Sequence, residues 1–235
     1  MYNRVLLKLS GEQLAGSYEV GIDPEVAGYL AKEIKLALTS GCRLVIVVGG
    51  GNMVRGAKVA GGGIQRVTAD QMGMLSGLIN SMALTDIFES KAIPTRCLSN
   101  IFADQVAEAY SYRRAIKHLE HGRVVVVAGG LGRPYFTHDT AAVNLALELD
   151  CQAVLKATKT DGVYDKDPHK YPDATRLTKL TYQEAISNHL IAVMDKAAMG
   201  LAMEQNIPLV VFDAMKNGNI DRVVRGKPVG TTIKN

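Results

Sequence analysis

A three-layer αβα sandwich, with a mostly parallel central sheet and helices on both faces, is the fold this sequence predicts. Residues 44–48 (LVIVV) and 124–128 (VVVVA) are unbroken apolar runs, the pattern of strands buried on both faces of a parallel sheet. Each run empties into glycines: Gly49, Gly50 and Gly51 after the first, Gly129, Gly130 and Gly132 after the second. Apolar residues recur at helical spacing between the runs, so strands and helices alternate as in βαβ units. Open parallel sheets bind ligands at the carboxyl ends of their strands, and both glycine loops fall on that edge.

In chain order, residues 4–9 read as a first strand, broken by a glycine turn at Ser10, Gly11 and Glu12. Lys8 stands at its end, where an arbitrary protein would usually carry only a solvated charge. Asp23 followed by Pro24 is a helix start, and Val26, Leu30, Ile34 and Leu38 continue it until Gly41. Past the first glycine loop, residues 60–63 (AGGG) are flexible in composition. A long helix is expected from Val67 with Thr68 as its cap, Met72, Leu75, Ile79 and Met82 along one face and Asp70 in its first turn. Residues 93–98 suggest a short strand and residues 103–121 a helix, with His118 and His121 complementing its carboxyl end. After the second glycine loop, Thr137 or Asp139 starts another helix. Residues 154–156 form a third buried strand, followed by an Asp-Gly turn at Asp161 and Gly162 that suits a tight hairpin. A short helix over 181–187, a helix begun by Asp195, a strand over 208–212, an Asn217-Gly218 turn into a last helix and an edge strand over 229–233 complete the chain.

The 235 residues show no composition break, repeat or low-complexity tract and read as one domain, 1–235. One half of the sheet is expected to bind an acceptor and the other a nucleotide. Cys42, Cys97 and Cys151 are odd in number and each edges an apolar run, so they read as reduced core thiols in a cytoplasmic protein. The start lacks the pattern of a signal peptide, and no run is long enough to span a membrane. A net charge of +4 is dispersed, without an aromatic-interleaved basic stripe, so small anions fit better than nucleic acid.

Several phosphate chemistries are excluded by what is missing: a P-loop, a complete dinucleotide fingerprint, the protein-kinase motifs and a serine nucleophile elbow. Two glycine loops remain, with Lys8, Lys159, Arg55 and the carboxylates of Asp139, Asp161, Asp167 and Asp195. Glycines let backbone N–H groups approach an anion, and Arg55 can fork onto phosphate oxygens. This inventory suits phosphoryl transfer, which is mostly positioning and charge stabilisation.

The motif blocks Lys8-Leu9-Ser10-Gly11-Glu12, Gly49-Gly50-Gly51-Asn52 with Arg55-Gly56, and Asp70-Gln71-Met72-Gly73-Met74 occur in that order. Phe136-Thr137-His138-Asp139-Thr140-Ala141-Ala142, Lys156-Ala157-Thr158-Lys159-Thr160-Asp161-Gly162-Val163-Tyr164 and Val193-Met194-Asp195 follow. In order and spacing, almost end to end, the chain resembles the bacterial UMP kinases, a branch of the amino acid kinase superfamily unrelated to P-loop enzymes.

The resemblance implies transfer of a phosphoryl group from ATP to UMP in pyrimidine nucleotide synthesis. Lys8, Asp139 and Asp195 would be catalytic, with Lys8 offsetting the charge in flight, Asp195 orienting the phosphate-binding lysines and Asp139 near the acceptor. ATP would meet Lys8, Leu9, Ser10, Gly11, Gly51, Arg55, Thr158, Lys159, Tyr164 and Asp167. UMP would meet Gly50, Asp70 and the loop Leu131, Gly132, Arg133, Pro134, Tyr135, Phe136, Thr137 and His138, with Asp70 accepting from ribose hydroxyls. Mg²⁺ would ride on the ATP phosphates, with no metal site on the protein. The resemblance further implies a homohexamer, inhibition by UTP and activation by GTP.

This chain departs from the family's usual acceptor loop, G-N-P-[FY]-F-T-T-D, in carrying Arg133 and His138, and has Val20 where a phenylalanine is common. Two other readings stay open: a carbamate or acylamino-acid kinase of the same superfamily, or a non-catalytic uridylate-binding regulator. The Asp70 and Phe136 blocks weigh against the first, and joint retention of Lys8, Asp139 and Asp195 against the second.

Overall fold

The first strand of the chain lies in the middle of the sheet, and the chain builds outward from it on both sides. The structure is a computed structural model that describes residues 1–54, 59, 63–168, 170–191 and 193–235. Its strands are β1 (Arg4–Leu9), β2 (Arg43–Val48), β3 (Thr95–Ser99), β4 (Glu108–Ala109), β5 (Val124–Ala128), β6 (Val154–Thr158), β7 (Val163–Tyr164), β8 (Arg176–Leu177), β9 (Lys179–Leu180), β10 (Leu209–Asp213) and β11 (Thr231–Ile233). Its helices are α1 (Gly11–Leu14), α2 (Pro24–Leu38), α3 (Arg66–Ser90), α4 (Tyr112–Glu120), α5 (His138–Glu148), α6 (Tyr182–Ser187), α7 (Lys196–Glu204) and α8 (Asn219–Val224). Among the described residues, nine strands form one sheet in the order β4-β3-β5-β2-β1-β6-β10-β11-β9, and β7 pairs with β8 apart from it. All pairings in the large sheet are parallel except β10 with β11.

Alternation along β1 assigns its side chains to two cores. Val5, Leu7 and Leu9 pack with α2, α8 and the end of α3, whereas Leu6 faces α4, α5, α6 and α7. Both faces of the central strands are therefore dry, which is why β2 and β5 read as unbroken apolar runs. Lys8 shares its face with Leu6. In the β1–β6 register Lys8 lies directly opposite Lys156, so two cations stand side by side beneath α5. Strands β2 to β5 all lie on one side of β1, and β6 starts the other side. The carboxyl end of β1 is thus a topological switch point, where open sheets form their ligand crevice.

Several expectations are corrected. Residues 103–121 are not one helix: Ser111 accepts from Arg114 N at 3.3 Å and starts α4 there, and the preceding Glu108–Ala109 pairs with β3. The long helix begins at Arg66 with Gln65 at its cap position, so Asp70 lies one turn in and does not cap it. Asp161-Gly162 is not a hairpin tip; it leads into β7, and residues 165–175 make the connection to β8. The glycine turn at Ser10 continues as α1. The last strand, β11, is internal, with β9 outside it. No helix among the described residues is long and apolar enough to cross a membrane.

Candidate active site at the sheet switch point

Asp139 holds the two lysines of the central strands. It occupies the first turn of α5, whose cap residue Thr137 accepts from Asp139 N at 2.9 Å and Thr140 N at 3.3 Å. Its Oδ1 lies 2.8 Å from Lys8 Nζ and its Oδ2 2.7 Å from Lys156 Nζ, with side-chain exposures of 12 % for Lys8, 15 % for Asp139 and 13 % for Lys156. Lys156 Nζ also donates to the carbonyl of Val193. Burial alone would raise the Asp139 pKa, but Lys8 and Lys156 outweigh it and hold the carboxyl below its ordinary value. Burial, with Lys8 alongside, pulls the Lys156 ammonium down despite Asp139. A cation pair bound to a single carboxylate carries an excess positive charge, which an incoming phosphate can share.

Asp195 works one step away. Thr137 Oγ1 donates to its Oδ2 at 2.5 Å, Thr140 Oγ1 donates at 3.0 Å, and Asp195 caps α7 by accepting from Ala198 N at 3.0 Å. It therefore ties the starts of α5 and α7 together and makes no direct bond to either lysine. Asp139 is the residue between the lysines, the part the resemblance gave to Asp195.

Two clefts open beside this cluster. One, of about 220 Å³, is lined by Gly50, Gly51, Val54, Arg66, Asp70, Gly73, Met74, Gly130, Phe136, Thr137 and His138. The other, of about 290 Å³, is lined by Thr158, Thr160, Gly162, Val163, Tyr164, Lys166, Asp167, Pro168, Leu190, Ile191, Val193 and Val211. Asp139 adjoins His138 in the wall of the first, and Lys156 binds Val193 in the wall of the second. The cluster thus sits between them.

Close approach requires glycine at Gly11 and at Gly50. A Cβ on Gly11 would stand 2.4 Å from the Gly49 carbonyl oxygen, and one on Gly50 would stand 2.5 Å from Ser76 Cβ and 2.6 Å from the Gly73 carbonyl oxygen. Gly49, Gly50 and Gly51 do not have positive φ; the second loop does, at Gly129, Gly130 and Gly132. Buried Asn52 and Asn80 pin the first loop to α3 by reciprocal amide bonds of 2.9 and 2.7 Å, and Asn80 also donates to the Gly49 carbonyl at 2.7 Å. Gln13 donates to the Thr158 carbonyl at 2.9 Å and joins the first strand's loop to β6.

In the wall of the first cleft, Asp70 accepts from Arg66 Nε and from the Tyr135 backbone N–H, both at 2.8 Å, and the guanidinium lies 5.2 Å from the Tyr135 ring centroid. Burial works against these bonds, yet they hold the Asp70 carboxyl below its usual range. Tyr135 pays with φ of 68°, a left-handed conformation unusual for a bulky residue. In the other cleft, Tyr164 donates to Asp161 at 2.7 Å, and Arg176 and Lys216 pair with the same carboxylate at 3.0 and 3.5 Å.

Of the expected ATP set, Thr158, Tyr164 and Asp167 line the second cleft, Leu9, Ser10 and Gly11 run from β1 into α1, and Gly51 lines the first cleft. Lys159 is exposed and lines neither cleft, and Arg55 lies outside the described residues. Of the expected UMP set, Gly50, Asp70, Phe136, Thr137 and His138 line the first cleft, and Tyr135 touches Asp70. Leu131, Gly132, Arg133 and Pro134 do not line it, Arg133 being exposed. Sequence reasoning missed Lys156, Arg66, Leu190 and Ile191. Lys156 was findable, because a lysine inside the apolar residues 154–157 must have a partner.

Two clefts that share a cation pair at a sheet switch point make this chain a kinase by fold and site. The family model of the amino acid kinase family matches residues 3–213, and the chain belongs to that family. Among solved structures, it is similar to UMP kinase from Bacillus anthracis, at 37 % identity over 99 % of this chain and 96 % of that one, with a TM-score of 0.95. UMP kinase from Ureaplasma parvum matches at 32 % identity over 100 % of both chains, TM-score 0.92. Uridylate kinase from Archaeoglobus fulgidus matches at 25 % identity over 97 % of this chain and 99 % of that one, TM-score 0.75.

Proposed function

We propose that this chain transfers the γ-phosphoryl group of ATP to the phosphate of UMP, giving ADP and UDP for pyrimidine nucleotide synthesis. The observation that carries the reading is the Lys8–Asp139–Lys156 cluster between two clefts of nucleotide scale. UMP would occupy the cleft beside Gly50, Asp70 and Phe136, in the N-terminal half of a single domain. ATP would occupy the cleft beside Thr158, Tyr164 and Asp167, in the C-terminal half. A UMP phosphate oxygen attacks the γ-phosphorus as the bond to the bridging oxygen of ADP breaks. Lys8 and Lys156 meet the charge that builds on the equatorial oxygens, and this preorganised stabilisation is the main catalytic term. Asp139 keeps both ammonium groups in place, and Asp195 keeps the start of α5 in place.

Mg²⁺ bound to the ATP phosphates would neutralise charge on the transferring group. The donor set fits such a carried ion better than a protein cage: both Asp139 oxygens face lysines, and no group of three histidine, cysteine or acidic residues is clustered for a metal among the described residues.

The same reading extends to a cytoplasmic enzyme, a homohexamer inhibited by UTP and activated by GTP. Self-assembly is supported by the outward face of α3, where Leu75, Ile79 and Met82 are 52 %, 49 % and 37 % exposed. The decisive assay is ADP release with Mg-ATP against UMP, CMP, dUMP, AMP, acetylglutamate and carbamate. Turnover with UMP is expected; turnover with an amino-acid acceptor and none with UMP would overturn the proposal.

A further inference from the structure

The ribbon of β7 and β8 contributes a wall of the second cleft but has little strength of its own. Each strand is two residues long, the pair lies outside the large sheet, and so short a two-stranded ladder is marginal in water. Arg176 and Lys216 pair with Asp161 beside it, but these side chains are partly exposed, and such pairs hold weakly. The buried tie comes from the last strand. Thr231, opposite Val211 in the β10–β11 register, is wholly buried, and its Oγ1 accepts from the Val163 N–H at 2.7 Å and donates to the Leu177 carbonyl. Val163 and Leu177 are partners across the ribbon, so one hydroxyl grips both strands at the same rung. Immediately after it, Thr232 N donates to the Thr178 carbonyl at 3.0 Å and β11 pairs with β9. Thr231 thus stands at the seam between ribbon and sheet.

The hydroxyl comes so close to Gly162 that a Cβ there would stand 2.7 Å from Oγ1. Gly162, Val163 and Tyr164 line the second cleft, and Val211 lines it from the sheet, whereas Thr231 itself does not. A hydroxyl can accept from one backbone group and donate to another at once, and a methyl in its place would leave both buried groups unsatisfied. We propose that Thr231 is a positioning residue for the phosphoryl donor: its hydroxyl fixes the distance of the ribbon from the sheet, and so the width of the cleft, acting through Val163 and Tyr164. This role rests on the reading that ATP occupies the second cleft.

The test compares Thr231→Val, which keeps the shape and loses the hydroxyl, with Thr231→Ser, which keeps the hydroxyl, in steady-state assays that vary Mg-ATP and UMP separately. Thr231→Val is expected to raise KM for ATP roughly three- to tenfold, the range for one hydrogen bond, with KM for UMP within about twofold and Thr231→Ser near wild type. A purely structural role would lower the folded fraction, and with it the apparent kcat, at unchanged KM. No change in KM for ATP, an equal change in KM for UMP, or a serine variant as impaired as the valine one would overturn the proposal. If Thr231→Val does not fold, amide hydrogen exchange in wild type decides it: the Val163 N–H is expected to exchange slowly and to slow further with ADP but not with UMP, and a fast or nucleotide-insensitive Val163 overturns it. Tyr164→Ala separates the two readings. A KM for ATP raised by Tyr164→Ala but not by Thr231→Val removes only the role of Thr231, whereas silence of both variants removes the assignment of ATP to this cleft as well.

Discussion

Lys8, Lys156 and Lys159 are three lysines that sequence alone does not rank, and burial and partners separate them. If Lys8 meets the phosphoryl group in flight, Lys8→Met should lower kcat by roughly a hundred- to a thousandfold, about 2.7–4 kcal/mol, with little change in KM. Lys156→Met should cost a similar factor and also lower the thermal midpoint, because it leaves the Val193 carbonyl and one Asp139 oxygen without their partner. Lys159→Met should stay within about twofold of wild type, since its side chain is exposed. Steady-state rates and melting curves on the same preparations check all three. A pH experiment addresses His138. As pH falls below 6.5 the unfolded chain takes up a proton on this imidazole, while the folded chain resists until about 4. The contribution is thus fully present above 6.5 and drains away between 6.5 and 4. His138→Thr should flatten that limb of a thermal midpoint–pH curve, leaving the loss from Asp139, which begins below 3.8.

At the scale of elements, the helix starts and the glycine loops do most of the positioning. Asp195 caps α7 and receives two hydroxyls from the start of α5, so Asp195→Ala should cost about 1–3 kcal/mol of stability and slow catalysis through displaced Asp139. Denaturant melts with kcat measurements test this; a stability loss with unchanged kcat would show that the tie is structural only. Gly50→Ala probes the other wall. A methyl there meets Ser76 and the Gly73 carbonyl at under 3 Å, so α3 must retreat from the loop. The expected result is weaker UMP binding with ATP binding nearly unchanged, read by separate titrations.

For the whole molecule, the outward stripe on α3 and the depression that Met82 shares with Val106 are apolar surface without a partner in the single chain. Ile79→Glu is expected to reduce the mass seen by light scattering from that of an oligomer to that of a smaller species. A monomeric wild type at micromolar concentration would reject the assembly and weaken the case for UTP and GTP control. The two halves of the sheet meet at β1, so substitutions in the Tyr164 cleft should change KM for ATP and those in the Asp70 cleft KM for UMP.

Much of this protein was legible in the chain because it is written in local patterns. Unbroken apolar runs mark β2 and β5, since burial on both faces leaves no room for alternation. Asp23-Pro24, Thr137 and Asp195 mark helix starts, since a side-chain oxygen beside a free backbone N–H is a local matter. What failed were features set by neighbours far along the chain. Residues 103–111 left the helix because β3 offered Glu108–Ala109 a partner, and β11 became internal because β9 covered its edge. In the first glycine loop, crowding by α3 dictates Gly50, a long-range matter, while positive φ belongs to the second loop. Lys156 became a site residue only through the parallel register that sets it opposite Lys8, and through α5, which lowers Asp139 between them. The sequence by itself determined which segments are strands, helices and phosphate-suited loops, because backbone and burial preferences act within a few residues. Only the tertiary structure decided which charges meet, because an ion pair in a dry crevice depends on strand order and register, and neither is a property of any short stretch.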